Sequence, residues 1–310
     1  MTLSLNEKKR ITNELYPISF DDAKNDFLEL LNLTQKDINN ISSYSKIGNK
    51  TVNYFTALER LSTIGRKGIS FFDLVENKDM YLKKPYVKKL MDYHNDMDEL
   101  HALTKVMALY YGSIAIFKPI ITMKIIQKFE CNQGLLDFTM GWGGRLVGCC
   151  ALQIPHYIGI DLNNHLKIPY KNLVNMIKPH TKTKITLYFK SALNIDYSKL
   201  KYDIVFTSPP YYNIELYNNT KKQTKEQWDN NFYIPIFSKT FNHLQPNGHY
   251  ILNISKDIYE RVCIPLFGKC KKRIPLTLSK RFNSDEKQYN EYIYIWVKNN
   301  DIIIHKANYK

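Results

Sequence analysis

The sequence predicts an α/β protein in which a mostly parallel central sheet follows a helical N-terminal region. From Ile114 onward, short strand-like runs alternate with helix-like runs, which is typical of a sheet covered by helices. Before residue 110, apolar residues recur at helical spacing, and Ser19–Asp22 and Thr34–Asp37 have the form of helix-capping sequences. We therefore expect a helical region over residues 1–110 and an α/β domain over residues 111–310.

Runs of apolar, β-branched and aromatic residues predict the strands of the sheet. In chain order they lie at Leu135–Leu136, Tyr157–Leu162, Ile185–Phe189, Tyr202–Phe206, Gly248–Ile254 and Asn290–Val297. Helices are predicted over Ile120–Phe129 and near Tyr170–Ile177. Pro119 fits the first position of the former helix, where its missing N–H costs nothing.

The composition narrows the class of protein. With 310 residues and 44% hydrophobic residues, the chain can form a sizeable core. It contains no run of about 18 apolar residues, and Met1–Arg10 lacks the apolar stretch of a secretory signal, so we expect an intracellular protein without a membrane segment. The five cysteines include no C-x-x-C pair. They therefore predict neither a zinc site nor a disulfide framework, and no metal is expected.

The chain is strongly basic, with a net charge of +15 and an isoelectric point near 9.3. This balance favours a nucleic-acid partner, although a general richness in Lys, Asn, Ile and Tyr, as in A/T-rich coding sequence, accounts for part of it. Two segments are candidates for contact with phosphates. They are Arg66 and Lys67, which lie between two glycines, and Lys271, Lys272 and Arg273. The alternative for each is an ordinary solvated surface.

Residues 135–148 combine an apolar run, an acid, a glycine turn and the beginning of a helix. Gly141 and Gly143 allow the backbone to turn sharply and to approach a ligand closely. About 20 residues further on, Asp161 ends a predicted strand, where an acid can bind the two hydroxyls of a ribose. A dinucleotide site would fit these features, but Leu146 stands at the third glycine of that fingerprint.

A rigid turn follows the predicted strand Tyr202–Phe206. Pro209 and Pro210 cannot donate to a β-ladder, so they end the strand and hold Ser208 and Tyr211 at its carboxyl end, where open α/β sheets bind ligands. A hydroxyl, exposed carbonyls and an aromatic ring suit a flat heterocycle that carries an amine. Ordinary core packing is the alternative for an isolated Pro-Pro-Tyr. The ordered set of glycine turn, acid and Ser-Pro-Pro-Tyr favours the ligand site.

With these motifs, the segment from Ile114 to Val297 resembles the S-adenosylmethionine-dependent DNA amino-methyltransferases, which methylate N6 of adenine or N4 of cytosine. The similar features are Gly-Trp-Gly-Gly-Arg at 141–145, Thr-Ser-Pro-Pro-Tyr at 207–211, and Phe-Lys-Pro at 117–119 ahead of the glycine turn. Thr139 stands where Phe is usual in the family. The resemblance implies a Rossmann-like class I methyltransferase fold, S-adenosylmethionine as cofactor, and double-stranded DNA as partner.

The resemblance also implies roles for individual residues. The residues expected to bind the cofactor are Lys118, Pro119, Asp137, Thr139, Gly141, Gly143, Asp161, Ser191 and Ala192. Asp137 is expected to act directly or by bracing the glycine turn. The residues expected to bind and orient a flipped base are Ser208, Pro209, Pro210 and Tyr211.

Several alternatives remain open from the sequence. In the resembled family, Ser before Pro-Pro leans towards N4 of cytosine, whereas Asp or Asn leans towards N6 of adenine. An RNA amino-methyltransferase of the same fold and a non-catalytic nucleic-acid-binding subunit are competing classes. Residues 1–110 carry no chemical motif, and we expect them to help recognise DNA or to mediate association. The oligomeric state is left open.

Overall fold

The computed structural model describes residues 2–65, 67–112, 114–212, 223–282 and 288–299. The N-terminal region is helical, as predicted. Its helices are α1 (Leu5–Leu15), α2 (Phe20–Leu31), α3 (Gln35–Asn40), α4 (Asn49–Ser62), α5 (Phe71–Glu76), α6 (Lys78–Leu82), α7 (Pro85–Tyr93) and α8 (Glu99–Val106). Ser19 and Asp22 cap α2 reciprocally, and Thr34 and Asp37 cap α3 in the same way, so both predicted capping sequences are confirmed.

The described part of the remaining chain forms a seven-stranded sheet in the order β3-β2-β1-β4-β5-β7-β6. The strands are β1 (Leu135–Asp137), β2 (His156–Asp161), β3 (Lys184–Phe189), β4 (Ile204–Thr207), β5 (His249–Ile254), β6 (Lys272–Phe282) and β7 (Gln288–Val297). Strands β1 to β5 are parallel, and β7 pairs antiparallel with both β5 and β6. The predicted Rossmann-like, mostly parallel sheet is confirmed.

Helices cover both faces of the sheet. They are α9 (Pro119–Ile126), α10 (Gly144–Ala151), α11 (Lys167–Ile177), α12 (Lys225–Trp228), α13 (Ile234–Asn242), α14 (Lys256–Ile258) and α15 (Ile264–Phe267). One core layer joins α9, α10 and α11 to the sheet, and the other layer is built mainly from α13 and the aromatic residues around it. Successive residues of β4 and β5 point into opposite layers because side chains alternate along a strand.

Some of the N-terminal helices pack into the core of the α/β domain, and the others form a cluster of their own. Buried residues of α2, α3 and α4, including Phe27 and Val52, belong to the same core layer as α9 and α10. At their junction, a Cβ on Gly48 would lie 2.5 Å from the Leu30 side chain and 2.8 Å from Pro119 Cβ. Helices α5 and α8 and the turn at Met107–Tyr111 instead form a smaller cluster of their own. Packing therefore changes within residues 1–110 rather than only at residue 110.

Strand β6 was not foreseen from the sequence, where Lys271, Lys272 and Arg273 were considered only as candidates for phosphate contact or as solvated surface. The strand lies at the edge of the sheet and pairs only with β7 among the described strands. Apolar Ile274 and Leu276 alternate with Arg273 and Pro275 in the described part of the strand. The high charge of the segment hid this short alternation, because an edge strand needs one apolar face only.

Candidate functional site

The carboxyl ends of five adjacent strands bring most candidate residues together. In sheet order these ends lead to Ser191 and Ala192 (β3), Asp161 (β2), Gly141–Gly143 (β1), Ser208–Tyr211 (β4) and Asn253 (β5). Neighbouring strands lie about 4.8 Å apart, so the ends of β2 and β4 are separated by about 10 Å across β1. The chain proceeds to one side from β1 and returns to its other side at β4, and open α/β sheets bind ligands at such a reversal.

The glycine loop after β1 is held from two sides. Gly141 and Gly143 have φ values of +57° and +95°, a conformation that L side chains rarely adopt. The Gly141 N–H donates to the Asp161 carboxylate at 2.8 Å, and the Tyr170 hydroxyl of α11 donates to the Gly141 carbonyl at 2.9 Å. The sequence predicted the turn but not Tyr170, because an apolar helix face does not show which of its tyrosines bonds to a distant loop.

Asp161 presents a partly exposed carboxylate at the end of β2. Besides the Gly141 N–H, it accepts the Asn163 N–H at 2.8 Å. Burial raises the pKa of Asp161 to about 6, although these two donors act in the opposite direction. Leu162 follows directly and is 57% exposed. The strand thus ends in a half-buried acid that is followed directly by an exposed apolar residue.

Ser191 and Ala192 lie at the neighbouring end of β3. Ser191 precedes a single 3₁₀ turn over Ala192–Asn194. The Tyr197 hydroxyl donates to the Ala192 carbonyl at 2.8 Å and holds this turn in place. Phe189, the last residue of β3, pairs with Asp161 in the sheet register, so Ser191 follows two residues after the partner of Asp161.

Asp137 lies beneath the site and has no exposed surface. Its carboxylate accepts from Arg145 Nε and the Tyr157 hydroxyl, both at 2.7 Å, and from the Thr207 hydroxyl at 2.8 Å. Burial acts to lower the pKa of Arg145, but the adjacent carboxylate raises it and the net shift is upward, so the guanidinium stays charged. Of the two roles expected for Asp137, this geometry fits the brace and leaves no surface for direct ligand contact.

Thr139 and Thr207 connect the glycine loop to β4. Their hydroxyls lie 2.6 Å apart, and Arg145 also donates to the Thr139 carbonyl. The base of the glycine loop and the base of the Ser-Pro-Pro-Tyr turn therefore share one buried hydrogen-bond network with Asp137. Arg145 and Thr207 were not predicted as functional residues, although a charged residue in an otherwise apolar helix was a usable signal for the former.

Residues 117–119 lie directly against α10. A Cβ on Gly144 would lie 1.7 Å from the Phe117 carbonyl oxygen, and a Cβ on Gly148 would lie 2.6 Å from the Pro119 carbonyl oxygen. Any side chain at these positions would force the two segments apart. The glycines of α10 therefore allow residues 117–119 to pack closely against this helix, which begins at the glycine loop.

The Lys118 side chain contacts the N-terminal region. Its ammonium donates to the carbonyls of Ser43 and Tyr44 at 3.1 and 3.0 Å, and burial lowers its pKa. A second connection lies at the glycine loop itself, where the Thr56 hydroxyl of α4 donates to the Trp142 carbonyl at 3.1 Å. The backbone of Lys118 and Pro119 stays near the predicted cofactor site, whereas the Lys118 side chain points to residues 43–44.

The Ser-Pro-Pro-Tyr turn leaves β4 beside β5. Ser208 is partly exposed and accepts a hydrogen bond from Asn253 Nδ2 at 3.1 Å, while the Tyr211 hydroxyl donates to the main-chain carbonyl of Asn253 at 3.1 Å. Pro209 is buried and Pro210 is partly exposed. The structure therefore places the predicted base-binding residues as one unit, anchored to the end of β5.

A second anchor for this turn comes from the π-helical turn at 229–233. The Tyr233 hydroxyl donates to the Pro210 carbonyl and accepts the Tyr212 N–H at 2.9 Å. Tyr212 has a φ of +51°, which is uncommon for a residue other than glycine. Its own hydroxyl donates to Asp229 at 3.1 Å, and Arg261 binds the same carboxylate at 2.6 Å. Sequence reasoning did not identify this network, because its members are far apart in the chain.

The basic candidates lie away from this row of strand ends. Arg66 is outside the described residues, and Lys67 places its ammonium 3.4 Å from the centre of the Tyr110 ring. Lys271, Lys272 and Arg273 are exposed at the beginning of β6, three strands from β4 and about 14 Å away laterally. Lys272 is level with Ile251 in the middle of β5. These residues flank the sheet rather than the site.

Within the described residues, no group of three or more His, Cys, Asp and Glu side chains is arranged to hold a metal ion. No described helix combines the length and the apolar character needed to cross a bilayer.

No family model matches the chain, and no curated protein sequence matches it. Among solved structures, TrmN from Thermus thermophilus has 13% identity and a TM-score of 0.41 over 58% of this chain and 48% of that one. The complex of aTrm5 with tRNALeu has 17% identity and a TM-score of 0.39 over 58% and 45%. A putative methyltransferase from Thermoplasma acidophilum has 14% identity and a TM-score of 0.39 over 61% and 78%. The match spans about half of the first two proteins. Similarities this distant assign no reaction, substrate or cofactor to the chain.

Proposed function

We propose that this protein is an S-adenosylmethionine-dependent methyltransferase that acts on the exocyclic amine of a base in DNA. The observation that supports this most is the juxtaposition of two half-sites. A nucleoside-type site at Gly141, Gly143 and Asp161 lies beside a base-type site at Ser208–Tyr211, and the Thr139–Thr207 hydrogen bond connects their supports. Neither half-site specifies a reaction alone, whereas a methyl donor and a flat acceptor require both.

The residues present fit the cofactor. The positive-φ glycines leave the loop backbone without side chains at the point of closest approach, and Asp161 offers a partly exposed carboxylate to ribose hydroxyls. Exposed Leu162 and the turn at Ser191 and Ala192 provide a surface for an adenine ring. Asp137 keeps the glycine loop in position without touching the ligand.

The chemistry expected of the site is an attack by the amine nitrogen on a methyl carbon. The bound cofactor supplies that carbon already activated by a positively charged sulfur. The N–C bond forms as the C–S bond breaks, and the amine proton leaves to solvent after the attack. Ser208 and the Pro209 carbonyl form hydrogen bonds with the amine-bearing edge of the base and direct the amine lone pair, which is otherwise delocalised into the ring. Most of the acceleration then comes from orientation and electrostatics.

The target base must leave the helix stack before it can reach such a site, and the Tyr211 ring is the residue on which it would stack. Ser208 favours N4 of cytosine over N6 of adenine by the family resemblance. The net charge of +15 suits the phosphate backbone of double-stranded DNA. We assign the N-terminal helices to recognition of the DNA or to association.

Mass spectrometry of nucleosides tests this proposal. Duplex DNA, single-stranded DNA and total tRNA are incubated separately with the protein and methyl-labelled S-adenosylmethionine, with Tyr211→Ala as the inactive control. Labelled N4-methylcytosine or N6-methyladenine from duplex DNA is expected. Label on tRNA alone would replace DNA by RNA as the substrate. Calorimetric binding of the cofactor without label on any nucleic acid would indicate a non-catalytic subunit.

A further inference from the structure

We propose that Asn253 and Ser208 form a hydrogen-bonding pair that selects a base whose amine lies next to an unprotonated ring nitrogen, an inference that rests on the function proposed above. Asn253 is then a specificity-determining residue of the site. In this arrangement its amide oxygen accepts from the amine, and the Ser208 hydroxyl donates to the ring nitrogen.

The position of Asn253 follows from the sheet register. Thr207 of β4 pairs with Leu252 of β5, so Ser208 and Asn253 come next on two adjacent parallel strands. In this position Asn253 Nδ2 donates a hydrogen bond to the Ser208 hydroxyl at 3.1 Å. The main-chain carbonyl of Asn253 also receives the Tyr211 hydroxyl. Asn253 thus forms hydrogen bonds with both Ser208 and Tyr211, the two residues whose side chains are assigned to the base.

The hydrogen-bond inventory of Asn253 is incomplete. The side chain is 5% exposed, and its Nδ2 donates to Ser208, but its Oδ1 is buried without a partner among the described residues. A buried carbonyl oxygen without a donor is destabilising, so its presence in a folded protein calls for an explanation. An amine N–H of the incoming base is the partner that this oxygen lacks.

The same inventory sets the polarity of Ser208. A serine hydroxyl has one hydrogen to donate and two lone pairs to accept with. Since Asn253 Nδ2 occupies one lone pair, the Ser208 hydrogen remains available for a ring nitrogen that has no proton. The Pro209 carbonyl and Asn253 Oδ1 then receive the two amine hydrogens. Thymine and uracil carry a carbonyl in place of the amine, so they would leave the Pro209 carbonyl and Asn253 Oδ1 without a donor.

Asparagine, unlike aspartate, cannot take up a proton at this position. A carboxylate here would accept the Ser208 hydrogen and turn it away from the base. Asn253→Asp is therefore a nearly isosteric change that reverses the hydrogen bond between the two side chains. It tests the direction of that bond rather than the presence of a side chain.

The experiment measures single-turnover methyl transfer to duplexes that carry the base identified by mass spectrometry or its deaza analogue. The analogue is 3-deazacytosine or 1-deazaadenine, in which C–H replaces the ring nitrogen. For each protein we compare the rate on the natural duplex with the rate on the deaza duplex. This ratio should be at least tenfold larger for the wild-type protein than for Ser208→Ala. Asn253→Asp should show the same small ratio as Ser208→Ala. Asn253→Ala should reduce the rate on the natural base at least tenfold. Asn175→Ala, an exposed change on α11, is the matched control and should behave as wild type.

Calorimetric affinity for S-adenosylmethionine within twofold of wild type shows that each variant is folded. If an Asn253 variant does not fold, Ser208→Ala tests the inference, because its rates on the natural and deaza duplexes should differ much less than those of the wild-type protein. A wild-type deaza penalty in Asn253→Asp, a wild-type rate in Asn253→Ala, or an undiminished penalty in Ser208→Ala overturns this inference while the proposed function stands. Absence of transfer by the wild-type protein overturns both.

Discussion

Removal of the Tyr233 hydroxyl should weaken the attachment of the Ser-Pro-Pro-Tyr turn to the rest of the protein. Tyr233→Phe keeps the buried ring but deletes the group that donates to the Pro210 carbonyl and accepts the Tyr212 N–H. Burial raises the pKa of Tyr233 well above its usual value, so this hydroxyl keeps its proton across the accessible pH range. Both bonded partners belong to the turn or its immediate continuation, which makes the hydroxyl a positioning group for Ser208 and Tyr211.

The magnitude follows from two hydrogen bonds and one strained residue. Each bond contributes about 0.5–1.5 kcal/mol, so Tyr233→Phe should destabilise the protein by about 1–3 kcal/mol. The left-handed conformation of Tyr212 stores about 1 kcal/mol or more, which favours relaxation of the turn once the hydroxyl is gone. A displacement of about 1 Å at a reacting group costs up to 100-fold in rate. We therefore expect a 10- to 100-fold slower single-turnover transfer with unchanged cofactor affinity.

Tyr202→Phe is the matched control for this change. Tyr202 is fully buried, and its hydroxyl donates to the Thr240 carbonyl at 2.8 Å, at the opposite end of β4 from the turn. Denaturant unfolding should show a loss of stability for both variants, whereas slow transfer should appear in Tyr233→Phe alone. Equal transfer rates for Tyr233→Phe and wild type would refute the positioning role. Equally slow transfer in both variants would trace the effect to general destabilisation.

Three further predictions concern the other parts of the site. Asp161→Ala should weaken S-adenosylmethionine binding in calorimetry. The affinity of the wild-type protein should fall as the pH drops through about 6, because protonation removes the carboxylate that accepts ribose hydroxyls. An affinity that is independent of pH would contradict this role. Tyr211→Ala should abolish methyl transfer and leave cofactor affinity nearly intact, and surviving turnover would exclude stacking on this ring. Glutamine at Lys271, Lys272 and Arg273 together should flatten the dependence of DNA affinity on salt, and an unchanged slope would return this edge of the sheet to the status of solvated surface.

The recognisable parts of the fold were those with local causes. The glycine turn, the acid at the end of β2 and the Pro-Pro turn are written in residues whose backbone preferences act over a few positions. The capping sequences at Ser19 and Thr34 are equally local, and the structure contains both. Strand β6 lacked such a signal, because its few apolar residues lie within a charged segment and its partner β7 lies beyond residues 283–287 in the chain.

The supports of the site were hidden because their members are distant in sequence. Asp137 binds Tyr157 and Thr207, which are 20 and 70 residues away, and Tyr233 reaches Pro210 across 23 residues. Asn253 meets Ser208 only because β4 and β5 are adjacent in the sheet. No local pattern distinguishes these polar groups from other tyrosines, threonines and asparagines that serve the core or the surface.

By itself, the sequence determined which segments turn, which strands end in chemically useful groups, and hence the order in which a nucleoside-type acid and a base-type turn occur. These are properties of short stretches, and they depend on backbone sterics and on missing N–H donors. Only the tertiary structure decided that Asp137 is fully buried, that the Lys118 side chain bonds to the N-terminal region, and that Asn253 donates a hydrogen bond to Ser208. Those outcomes depend on which side chains are buried together, and burial is a property of the packed sheet and its helices rather than of any single segment.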